Sequence, residues 1–113
     1  MDHKYKNWVL NDDIEKEVTG EGCSRKILAF CDELMCVENK FEKGAIAPMH
    51  CHPHSQITYI AEGVFEFTIG DEVKIVKKGD TMLKQGGVMH GAVCIEPGIV
   101  YDSFTPMRED FVK

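Results

Sequence analysis

The sequence predicts an all-β fold, one small barrel or sandwich, and three observations predict it. Short β-compatible runs recur along the chain, glycine-containing turns separate them, and no segment sustains a helical period. With 113 residues and 43% hydrophobic composition, the chain supports a single domain whose core closes without disulfides.

Residues 1–20 are polar and charged, with Trp8, Val9, Leu10 and Ile14 as apolar anchors, so they are expected to form an arm packed on the barrel or on a neighbouring subunit. Residues 21–113 are expected to form the barrel and a short C-terminal extension. Its strands are Arg25 to Phe30, Leu34 to Phe41, Gln56 to Ala61, Val64 to Ile69, Val73 to Val76, Met82 to Leu83, Met89 to Ile95 and Ile99 to Phe104. Glu42-Lys43-Gly44, Lys77-Lys78-Gly79-Asp80, Gln85-Gly86-Gly87 and Glu96-Pro97-Gly98 supply turns. The clearest hairpin joins Val64–Ile69 to Val73–Val76 through Gly70-Asp71, with Phe65, Phe67 and Ile69 on one face as core.

Thirteen basic against nineteen acidic side chains give a net charge of -6, which argues against nucleic acid as a partner because phosphate contacts need clustered Lys and Arg. No apolar run approaches the ~20 residues that span a bilayer and no signal segment opens the chain, so a cytoplasmic protein without a membrane partner is expected. Cys23, Cys31, Cys36, Cys51 and Cys94 are odd in number and contain no CxxC pair. Reduced thiols are therefore expected in place of a disulfide framework.

Two glycine-bounded patterns carry the chemistry: Gly44-x5-His50-x-His52-x3-Gln56-x6-Gly63, then Gly79-x5-Gln85-x-Gly87-x2-His90. Side chains two apart in a strand share a face, so His50 and His52 point together. His90, from a distant strand, then completes a three-nitrogen set, with Gln56 as the fourth ligand. Alternation turns Cys51 away. Val100, Asp102 and Phe104 share one face of the last strand, which aims the Asp102 carboxylate inward if Phe104 is core. An ionised carboxylate there needs a partner, either structural or functional.

These two motifs resemble those of the cupin superfamily, over about residues 40 to 104. The resemblance implies a double-stranded β-helix, or jelly-roll barrel, holding one divalent transition metal (Ni, Zn, Mn, Co or Fe) on His50, His52, Gln56 and His90. Gln56 stands where most cupins have glutamate, Gln85 replaces the usual proline of the second motif, and Cys94 replaces its usual asparagine. Four neutral ligands leave the divalent charge uncompensated, so the ion is expected to be a stronger Lewis acid, suited to redox-silent work.

Ser24–Leu28, His50–Tyr59 and Tyr101–Phe111 extend the likeness to the small cupins of pectin and alginate breakdown that ketonise 4,5-unsaturated monouronates. That resemblance implies a metal-dependent isomerase or lyase that opens the ring and yields the linear 5-keto-4-deoxyuronate. It implies Asp102 for proton transfer, Arg108 as a catalytic carboxylate clamp, and Phe104 and His54 as further substrate contacts. Two other function classes stay open: a cupin dioxygenase on a small organic substrate, which needs oxygen and iron, and a non-enzymatic module that binds a small molecule or metal. A homodimer is expected, with Ile57, Tyr59, Ile99 and Tyr101 facing outward.

Overall fold

The computed structural model describes residues 1–112 and contains eight antiparallel strands: β1 (Glu17–Gly20), β2 (Cys23–Phe30), β3 (Met35–Phe41), β4 (Ile46–His50), β5 (Ser55–Ile69), β6 (Glu72–Lys77), β7 (Thr81–Lys84) and β8 (His90–Thr105). The central path runs β1-β2-β3-β8-β5-β6, with β4 also on β8 and β7 also on β5. Two strands organise it. One half of β5 (Gln56–Tyr59) lies between β7 and the end of β8, and the other half (Val64–Ile69) lies between β6 and the start of β8. The start of β8 carries β4 on its other side, and its end carries β3. Both long strands therefore serve two layers, which makes the molecule a jelly-roll barrel with no helix long and apolar enough to cross a membrane among the described residues.

Glycine accounts for the shared bend. The sequence reading places chain breaks near Gly63 and at Glu96-Pro97-Gly98, but β5 and β8 run straight through them with register shifts between Ile60 and Phe65. Gly63 has φ +89°, and a Cβ there would lie 2.6 Å from the Gly98 Cα; a Cβ on Gly98 would lie 2.6 Å from the Phe65 ring. The two backbones cross where neither has a side chain, and both strands turn the corner together. At Gly70-Asp71, by contrast, the expected two-residue hairpin is present, pairing Ile69 with Glu72.

Alternation fills the interior. One cluster gathers Ile60, Phe65, Phe67, Val76, Ala92, Cys94 and Val100, and a second gathers Ile27, Phe30, Met35, Val37, Phe104 and Met107. Each large side chain buried here contributes about 1.5–3 kcal/mol, so polar groups at the same depth need partners of their own.

The arm lies along the barrel, and its last four residues form β1 against β2. Polar contacts hold the rest. Tyr5 N–H donates to the Phe30 carbonyl, and Asn11 Nδ2 and the Tyr101 hydroxyl both donate to Oε2 of buried Glu38, at 2.8 and 2.7 Å. That bond to Glu38, followed by burial, pushes the Tyr101 phenol up to about 12. Trp8 and Leu10 do not pack on this chain's own barrel, being 84% and 62% exposed.

Candidate metal centre and its cavity

The centre forms where the β4–β5 connection meets the start of β8. β4 ends at His50, so His52 is placed by the following loop and not by strand pleating, yet it reaches the same side. Cys51 is exposed and turned away. One ring nitrogen from each of His50, His52 and His90 lies within 4.8 Å of the others.

Each imidazole is held the same way. Nδ1 of His50 donates to the Pro48 carbonyl at 2.8 Å, that of His52 to the His54 carbonyl at 3.0 Å, and that of His90 to the Val88 carbonyl at 3.0 Å. A carbonyl only accepts, so Nδ1 carries the proton and Nε2 keeps its lone pair. Burial pushes His52 down and takes His90 down to about 4, which holds both rings neutral. Nε2 of His90 is buried without a hydrogen-bond partner among the described residues.

Gln56 lies beside the cluster. Its Nε2 donates to Asp102 Oδ1 at 2.7 Å and to Thr58 Oγ1 at 3.3 Å, which orients the amide and sets Oε1 2.9 Å from His52 Nε2. Two acceptor lone pairs at that distance repel unless a cation faces both. Three clustered imidazole nitrogens with an amide oxygen beside one of them fit a divalent transition metal, with main-chain carbonyls fixing the tautomers.

Beside these groups lies a cavity of about 150 Å³ whose wall includes His50, Gln56, Lys84, His90, Asp102, Phe104 and Arg108. Val100, Asp102 and Phe104 do share the inward face, each below a tenth exposed. Asp102 lies opposite Thr58 across β5 and β8; its Oδ1 accepts from Gln56 and the Thr58 hydroxyl, and its Oδ2 accepts from Asn39 Nδ2 at 2.7 Å. Three donors therefore converge on this one carboxylate.

Arg108 reaches the wall from beyond β8, its guanidinium 5.0 Å from the Phe104 ring centre and 4.1 Å from that of Phe111. Its Nε and Nη2 donate to the two carboxylate oxygens of Asp110 at 3.0 and 2.8 Å, so one edge of the fork is already occupied. His54 is not part of the wall. Its ring sits edge-on to Phe104 at 6.4 Å, while its carbonyl anchors His52. Cys94 belongs to the core, where burial pushes its thiol up.

Residues 38–103 match the cupin domain family model, Cupin_2. The chain belongs to the cupin family. It is 40% identical over 109 residues to the pectin degradation protein KdgF of Dickeya dadantii (strain 3937), covering 95% of this chain and 99% of that protein. Among solved structures, an RmlC-like cupin from Shewanella frigidimarina NCIMB 400 is 38% identical with a TM-score of 0.92, covering 96% of this chain and 98% of that one. KdgF from Halomonas sp. is 36% identical with a TM-score of 0.89, covering 93% and 97%.

Two wall residues of this cupin escape the sequence reading. Asn39 is the polar member of the inward row Val37, Asn39, Phe41, and strand parity alone marks it. Lys84 ends β7, on the same face as Met82 and opposite Gln56. Stopping that strand at Leu83 hides it, because a lysine before Gln85-Gly86-Gly87 reads as the start of a solvated turn.

Proposed function

We propose that this cupin is a cytoplasmic enzyme of pectin or alginate breakdown that ketonises 4,5-unsaturated monouronates to the linear 5-keto-4-deoxyuronate. The observation that carries the reading is the joining of the metal-ligating cluster to a buried carboxylate: one Gln56 amide presents its oxygen to the cluster and its nitrogen to Asp102. Similarity along nearly the full chain to a pectin degradation protein supports the substrate class.

His50, His52, Gln56 and His90 would hold the metal, which supplies Lewis acidity toward substrate oxygens. Asp102, held by its three donors, takes the proton of the anomeric hydroxyl as the bond between C1 and the ring oxygen breaks. The C1 aldehyde forms and the electron pair stays on the former ring oxygen as an enolate. Asp102 returns the same proton to C4 as the C5 ketone forms, so the reaction is an isomerisation with no co-reactant. Phe104 packs against the sugar. Arg108 directs its second guanidinium edge at the substrate, while Asp110 and the two aromatic rings hold it in place.

The test is the absorbance of 4,5-unsaturated galacturonate, followed with and without chelator. Metal-dependent loss of the chromophore above the spontaneous rate is expected; its absence from metal-loaded protein overturns the reading. Ile57 and Tyr59, at 50% and 44% exposure, supply an outward apolar face for a homodimer, and light scattering at the 12.8 kDa monomer mass overturns that part.

A further inference from the structure

The cavity wall contains two cations, and they differ in electrostatic state. Arg108 is neutralised by Asp110 at 2.8 Å and faced by two aromatic rings. Lys84 is 2% exposed, its Nζ donates once, to Thr58 Oγ1 at 2.8 Å, and the ammonium sits 4.5 Å from the centre of the Phe67 ring. Among the described residues no carboxylate oxygen lies within 4 Å of it. Asp102 reaches it only through the Thr58 hydroxyl, and both Asp102 oxygens are already engaged by other donors.

A buried ammonium is costly unless it is paired and hydrogen-bonded. Burial pushes Lys84 down, with Asp102 acting in the opposite direction. Among the described residues two of its three N–H groups meet no acceptor, and the side chain lines the cavity. A strut that merely tied β7 to β5 through Thr58 would not need a charge, since a neutral donor serves as well.

We propose that Lys84 is the residue that makes this cavity select an anionic sugar, its two unengaged N–H groups taking a carboxylate of the substrate at the inner wall. This deepens the ketonisation reading and rests on it for the identity of the sugar acid. The anion preference itself rests on the buried cation.

The experiment compares wild type with Lys84→Met, whose unbranched apolar side chain suits the contact with Phe67, both as metal-loaded protein. Calorimetry measures binding of saturated galacturonate and of its uncharged counterpart galactose. The variant is expected to lose galacturonate affinity by about 10- to 100-fold, the range for a hydrogen bond to a charged group, with galactose binding and metal content unchanged. An unaltered preference for galacturonate in the variant, or no preference in wild type, overturns the proposal.

A measurement on wild type removes dependence on the variant's folding. The Lys84 side-chain NMR resonances are expected to move on saturation with galacturonate and not with galactose, and unmoved resonances overturn the proposal. The two readings fail separately. Conversion of the unsaturated uronate by both proteins at equal kcat/KM overturns Lys84 and keeps ketonisation. No conversion by wild type, alongside Lys84-dependent galacturonate binding, does the reverse.

Discussion

Asp102→Asn separates the carboxylate's chemistry from its structural bonds. Asp102 receives three donors, from Gln56, Thr58 and Asn39, and an asparagine accepts through one oxygen only. The lower-cost orientation keeps that oxygen toward Gln56 and Thr58 and turns the new NH₂ toward Asn39, whose amide flips to present its oxygen. What is lost is charge assistance on the retained bonds, about 1–2 kcal/mol of stability, or a fall in melting temperature of roughly 5 °C per kcal/mol for a chain of this size. Gln56 stays oriented, so metal content is expected to be unchanged. The proton shuttle is gone, and turnover of 4,5-unsaturated galacturonate is expected to fall by about 10²- to 10⁴-fold, read as the rate of chromophore loss at saturating substrate. A variant with full metal content and turnover within about threefold of wild type would refute the assignment of Asp102.

The remaining expectations concern the ligands and the bend. His90 sits at about 4 in the fold against an ordinary 6.5, so the unfolded chain takes up that proton first; the neutral ring's contribution is complete above pH 6.5 and lost as pH falls toward 4, up to about 3 kcal/mol. Urea unfolding of chelator-treated protein at pH 7 and pH 4.5 should therefore show wild type losing more stability than His90→Gln; equal losses contradict the shift. Gly63→Ala forces a side chain to within 2.6 Å of the Gly98 backbone at a positive φ and is expected to cost about 2–3 kcal/mol in the same assay, whereas a cost below about 0.5 kcal/mol would mean that the strands bend elsewhere. Gln56→Glu should retain metal but place a second carboxyl against Asp102, moving the acid limb of the pH–rate profile upward; an unmoved profile contradicts the contact.

Strand alternation made much of the barrel readable. Phe65, Phe67, Val100 and Phe104 lie inward as their parity requires, and Asp102 follows Phe104 into the interior. The chain breaks were misplaced because Gly63 and Gly98 read singly as turn residues; only their mutual approach shows that they let two paired strands bend together. β1 and β4 were also missed as strands. The first closes a charged arm, and the second carries Pro48 among mostly exposed residues, so neither has a clear alternating stripe. In the site, the histidines were legible from spacing and type. Lys84 and Asn39 were not, since a polar residue in a short strand gives no sign of depth until its neighbours across the sheet are known.

The glutamine that departs from the usual cupin ligand set becomes intelligible from its second bond. A glutamate at this position would offer the cluster an oxygen as well, but it has no hydrogen to give, and its other oxygen would face Asp102 Oδ1 across the 2.7 Å that the amide nitrogen now spans. Two carboxylates so close cannot both be ionised near neutral pH, and one would hold a proton. An amide avoids that conflict because it accepts at one end and donates at the other. The Gln56 amide thus meets the histidine cluster with its oxygen and Asp102 with its nitrogen. On the proposed reading, the same substitution that leaves a bound divalent charge uncompensated is the one that permits a base to operate next to it, and a single side chain would set both ligand choice and proton transfer.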